Sequence, residues 1–82
     1  MNNKFKKIEF DSDIYNTICK NVRYYRKEKG MTSAELAELT ELSHDFIRQL
    51  QSNSKQTYNF SVETFYKISL ALDVSVDKLI KK

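Results

Sequence analysis

The chain has 82 residues, a formal net charge of +3, 40% apolar and 30% charged residues, a composition that points to one small globular domain and away from disorder. No Pro and a single Gly, Gly30, leave too few turn-formers for a β-sandwich or barrel, and the lone Cys19 rules out an internal disulfide. Residues 1–10 contain no apolar run long enough for a signal peptide or a membrane span, so an all-α chain in a reducing cytoplasm is expected, with no membrane partner.

Residues 1–12 read as an N-terminal arm. Lys4, Lys6 and Lys7 surround Phe5, Ile8 and Phe10 without a helical period, which suits a short strand, a basic tail or a packed extension. Residues 13–82 then form the folded domain. Ser12 or Asp13 offers an N-cap oxygen for a first helix over 13–29. In it Ile14, Ile18, Val22 and Tyr25 share one face, and Gly30 closes it after a cationic last turn. Cys19 lies beside that stripe and reads as a small packed hydrophobe.

Thr32 with Glu35 three residues on makes a capping box for a second helix of about two turns, with Leu36, Ala37 and Thr40 inward. Ser43 caps a third helix over 44–51 with Phe46, Ile47 and Leu50 on its apolar side, and Asn53 suits a left-handed terminator. Polar residues 52–59 form a loop. Ser61 caps a fourth helix in which Val62, Phe65, Ile68 and Leu72 keep helical spacing, and Ser75 caps a short fifth over 76–80.

Residues 32–51 are the informative unit. Two short capped helices joined by three residues cannot bury themselves, so Leu36, Ala37, Leu42, Ile47 and Leu50 must meet one another and the first helix. The third helix then turns His44, Asp45, Arg48 and Gln49 outward. A protruding helix about 12 Å across fits a B-DNA major groove of similar width. Charge agrees only in part: residues 1–30 carry eight Lys/Arg against four Asp/Glu, a balance of +4, and residues 31–82 six against seven, a balance of −1.

The sequence resembles the phage repressor and Cro-like (XRE-type) helix-turn-helix regulators from about Ile18 to Ile80. The resemblance rests on Arg26-Lys27-Glu28-Lys29-Gly30-Met31-Thr32, Glu35-Leu36-Ala37-Glu38, Ser43 with Ile47, Gln49 and Leu50, and Ser61-Val62-Glu63-Thr64. Ile68, Ala71-Leu72, Val74-Ser75, Asp77 and Leu79 complete it. It implies a five-helix domain whose helices two and three form the helix-turn-helix, binding operator DNA as a symmetric dimer. By position, His44, Asp45, Arg48 and Gln49 would read bases, while Lys27, Thr32, Ser33, Ser43 and Lys55 would contact phosphate. The departures are specific. Ser33 stands where the family commonly has Gln, Glu41 where a turn Gly is frequent, and Gln51 where a buried acid would pair with Arg26.

The fifth helix, through Val76, Leu79 and Ile80, is the expected dimer surface, with Phe5, Ile8 and Phe10 of the arm as a second candidate. A twofold dimer places half-sites about 34–36 Å apart. The expected function is therefore sequence-specific double-stranded DNA binding by a transcriptional regulator, acting as a repressor. The competing reading is an antitoxin-like interaction module that keeps the fold without binding DNA, favoured by Asp45, Ser33 and the acidic balance after Gly30. No paired carboxylates, phosphate-cradling glycine loop or catalytic triad can be assembled. The only histidine, His44, has no companion ligands, and the five tyrosines (Tyr15, Tyr24, Tyr25, Tyr58 and Tyr66) read as amphipathic boundary residues. No enzymatic activity, metal, cofactor or small-molecule ligand is expected.

Overall fold

The computed structural model describes residues 5–9, 13–52 and 61–82. These residues contain five α-helices and no strand: α1 Ile14–Glu28, α2 Ser33–Thr40, α3 His44–Gln51, α4 Val62–Leu72 and α5 Val76–Ile80. Of the expectations above, Lys4, Phe10, Ser12, Asn53, Lys55, Tyr58 and most of the loop before Ser61 lie outside the described residues.

Local chemistry explains most of the helix ends. Thr32 holds an extended conformation and its hydroxyl accepts the Glu35 N–H, while the Glu35 carboxylate accepts the Thr32 N–H, so the capping box is complete. Ser43 and Ser61 cap α3 and α4 by accepting the N–H of Phe46 and Thr64. Three helices end on a left-handed residue: Gly30 at φ 64°, Glu41 at φ 58° and Asp73 at φ 55°. Each makes the paired backbone hydrogen bonds of a Schellman closure, for example Gly30 N–H to Lys27 O at 2.9 Å and Met31 N–H to Arg26 O at 3.1 Å.

Two expected caps differ. Asp13 has a helical backbone, φ −70° and ψ −9°, and makes no side-chain cap hydrogen bond, because a capping oxygen needs an extended residue to carry it over the first turn. Its carboxylate lies 4.0 Å from Lys82 Nζ instead. Ser75 is extended but caps with no side-chain bond; its carbonyl takes the Lys78 N–H at 3.0 Å.

The helices enclose one core. Ile18, Cys19 and Val22 of α1 meet Leu36 and Ala37 of α2, Ile47 and Leu50 of α3, Ile68 and Leu72 of α4, and Leu79 of α5. Each fully buried aliphatic side chain contributes about 1.5–3 kcal/mol. Ile14, Tyr25, Leu42 and Phe46 pack half-buried around this centre. Burial pushes the Cys19 thiol pKa up, as suits a packed hydrophobe. Helix α1 packs on α3, α4 and α5, while α2 packs on α3 and α4. Asn21 fastens the last element by donating from Nδ2 to Leu79 O at 2.8 Å and to Lys81 O at 2.9 Å.

Two burial expectations are corrected, and one of the three readings of the arm is removed. Val62 is 87% exposed, because steps of three residues drift around a helix and six residues carry it roughly 120° from Ile68. Leu79, expected on a dimer surface, is wholly buried in the core, whereas Val76 and Ile80 keep exposed surface. Phe5 and Ile8 are 88% and 96% exposed, so neither is part of a packed extension.

Candidate nucleic-acid interface

Helix α3 is short, and its two faces are cleanly separated. Ile47, Leu50 and Gln51 are buried and Phe46 is half-buried, while His44, Asp45, Arg48 and Gln49 are all exposed. The partition follows from the inward residues: once Ile47 and Leu50 meet Leu36 and Ala37 of α2, the positions on the opposite face, His44, Asp45, Arg48 and Gln49, point away. The small Ala37 permits that approach. Thr40, also buried, satisfies its hydroxyl on Leu36 O at 2.7 Å, so its burial leaves no unpaired donor.

Across the outer face, Arg48 and Asp45 form an exposed ion pair at 3.5 Å, one turn apart. Asp45 sits in the first turn of α3, where a carboxylate also favours the helix dipole. Ser52, just past the helix, donates its hydroxyl to Gln49 O at 2.9 Å. These side chains, with Gln49, form a shallow groove lined by Asp45, Arg48, Gln49 and Ser52.

The expected phosphate ligands occupy helix starts. Thr32 and Ser33 open α2, and Ser43 precedes α3. The first N–H groups of each helix have no partner one turn back. Hydrogen bonding to Thr32 holds the Glu35 carboxyl pKa below its ordinary value, so the carboxylate at the start of α2 is ionised near neutrality. Lys27 is exposed on α1. Sequence reasoning missed that Lys20 and Arg23 join Lys27 beside one α1 groove; their spacing of three and four residues was the available signal.

A polar cluster joins α1, α2 and α3 beneath this surface. Arg26 donates through Nε to Gln51 Oε1 at 2.6 Å and through Nη1 to Met31 O at 2.6 Å. Gln51 donates through Nε2 to Ser33 Oγ at 3.0 Å and to Ile47 O at 3.1 Å. Although only 8% exposed, the Gln51 amide thus has every polar atom engaged.

The helix-turn-helix domain family matches residues 19–82. The chain belongs to that family. Within it, the HTH-type transcriptional regulator SinR of Bacillus licheniformis is 34% identical over 65 residues, covering 79% of this chain and 57% of that protein. This helix-turn-helix chain therefore spans a little over half the length of that curated relative. Among solved structures, SinR, the master regulator for biofilm formation, in complex with DNA superposes with a TM-score of 0.70 at 36% identity. That match covers 78% of this chain and 98% of the other. The restriction-modification controller protein C.AhdI from Aeromonas hydrophila also gives a TM-score of 0.70, covering 84% of this chain and 98% of its own. At 23% identity that likeness is one of fold. The five-helix, all-α expectation for this helix-turn-helix domain is borne out.

Proposed function

We propose that this chain is a sequence-specific double-stranded DNA-binding transcriptional regulator that reads the major groove with α3. One observation carries the reading: α3 exposes His44, Asp45, Arg48 and Gln49 together on the fold of a 36% identical protein solved in complex with DNA. Gln49 supplies a side chain able to make two hydrogen bonds to adenine, and Arg48 one able to reach guanine or phosphate. Lys27, Thr32, Ser33 and Ser43 grip the backbone. The regulator acts as a repressor in the cytoplasm, as a homodimer that uses the exposed parts of Val76 and Ile80, and has no catalytic role. Among the described residues no helix is long and apolar enough to cross a membrane.

Titration with random-sequence duplex over a salt series tests the proposal. Affinity should fall with salt, with a log–log slope near −0.9 per charged phosphate contact; no binding at low salt would overturn it. Selection of bound duplexes from a random pool then reads specificity. Arg48→Ala and Gln49→Ala should each relax selection at one defined base pair, at a cost of about 1–3 kcal/mol. Unchanged selection by both removes α3 as the reading helix.

A further inference from the structure

The direction of every hydrogen bond around Gln51 is fixed by its neighbours. A guanidinium only donates, so Arg26 Nε, 2.6 Å away, requires the amide oxygen of Gln51 to face it. The amide NH2 is then turned the other way, onto Ser33 Oγ and Ile47 O. A carbonyl only accepts, so Ile47 O imposes the same orientation independently.

This orientation commits the Ser33 hydroxyl. Its oxygen accepts from Gln51, so its single proton must be directed elsewhere, and no described residue accepts it. Ser33 is the first residue of α2, where the N–H groups of Ser33 and Ala34 also lack helical acceptors. We propose that Gln51 is a positioning residue that fixes Ser33 as an outward hydrogen-bond donor to a DNA phosphate oxygen. The inference rests on the DNA-binding reading above and adds a specific role for a buried side chain that touches no DNA.

It also explains what a neutral amide achieves beside Arg26. A carboxylate at position 51 would give Arg26 a charged partner, but it can only accept. Ser33 would then turn its proton inward, and the outward donor would be lost. At this position, a stronger internal pair and a phosphate-directed hydroxyl are mutually exclusive.

The test is a double-mutant cycle on the full chain, read by affinity for a short random-sequence duplex at low salt and by thermal unfolding. Ser33→Ala should weaken binding about tenfold, the size of one hydrogen bond to a charged acceptor, and Ser33→Thr, which keeps the hydroxyl, should restore it. Gln51→Glu should unfold no earlier than the unaltered chain yet bind at least about tenfold more weakly. In the Ser33→Ala background the same substitution should cost no more than about threefold, the residue of its added negative charge. Should Gln51→Glu fail to fold, Gln51→Met removes the amide without adding charge. It should cost about threefold by freeing the Ser33 rotor, and that cost should vanish in the Ser33→Ala background. If the unaltered chain binds duplex but Ser33→Ala changes nothing, or the losses at positions 33 and 51 simply multiply, the inference is overturned while the DNA-binding reading stands. If the unaltered chain binds no duplex, both are overturned.

Discussion

The corner between α1 and α2 turns on Gly30, and the corner between α2 and α3 turns on Glu41; both residues are left-handed and both make the same pair of backbone hydrogen bonds. Glycine takes this conformation at no steric cost, whereas a residue with a Cβ gives up about 1–2 kcal/mol. The second corner tolerates glutamate because it is over-determined by packing: Leu36, Ala37, Ile47 and Leu50 are buried on either side of it, with Leu42 packed against them. The first is tied mainly by polar contacts: Arg26 donates to the carbonyl of the half-buried Met31 and to Gln51, which donates to Ser33. Backbone strain is admitted where side chains already dictate the path.

The largest effect should come from removing that packing. Ile47→Ala should destabilise the chain by about 2–5 kcal/mol in chemical denaturation; a loss below 1 kcal/mol would mean the second corner is held by its turn after all. Next, Gly30→Ala should cost about 1–2 kcal/mol. A Cβ there meets nothing within 4 Å, so the whole penalty is conformational and no neighbour is displaced. Glu41→Gly should move the other way and stabilise by about 0.5–1 kcal/mol, the relief at the turn being partly offset by glycine's freedom in the unfolded chain.

The smallest effect separates the corners by pH. After Gly30, α2 starts with a reciprocal cap in which Glu35 must be ionised; after Glu41, α3 starts with the Ser43 hydroxyl alone. The Glu35 pKa lies below its ordinary value, chiefly through the backbone hydrogen bond with Thr32. Its stabilisation is therefore present above the unfolded-state pKa, near ~4.3, and is lost as pH falls through the lower folded value. The protection of the Thr32 amide, its exchange rate relative to that of an unstructured chain at the same pH, should fall over that acid range, and Glu35→Gln should flatten the change, while the protection of the Phe46 amide bonded to Ser43 stays insensitive to Glu35.

Much of this contrast was legible in the residues. Ser43, the Ile47 and Leu50 stripe and the outward His44, Asp45, Arg48 and Gln49 defined α3 as 44–51, because the cap and the period agree. Thr32 with Glu35 announced its box, and Glu41 its strain. What escaped depends on neighbours distant in sequence. Helix α5 has five residues, Val76–Ile80, little more than one turn, so its own pattern does not say which apolar residue faces inward; α1 and α4, packed against it, bury Leu79. Val62 was misplaced because spacings of three and four look alike over a single turn. The types of Arg26, Gln51 and Ser33 were plain, but the direction of their hydrogen bonds emerges only when three helices bring them together.

The clasp of Asn21 on the carbonyls of Leu79 and Lys81 joins residues 58 and 60 positions apart. A ribosome adds about 5–20 residues per second, so Asn21 is made roughly 3–12 seconds before the groups it holds. Through that interval the flank of α1 that receives α5 has nothing to lie against. The nascent chain can pair α3 with α1 and α2 as they emerge, but the seal over Leu79 closes only once α5 has been made.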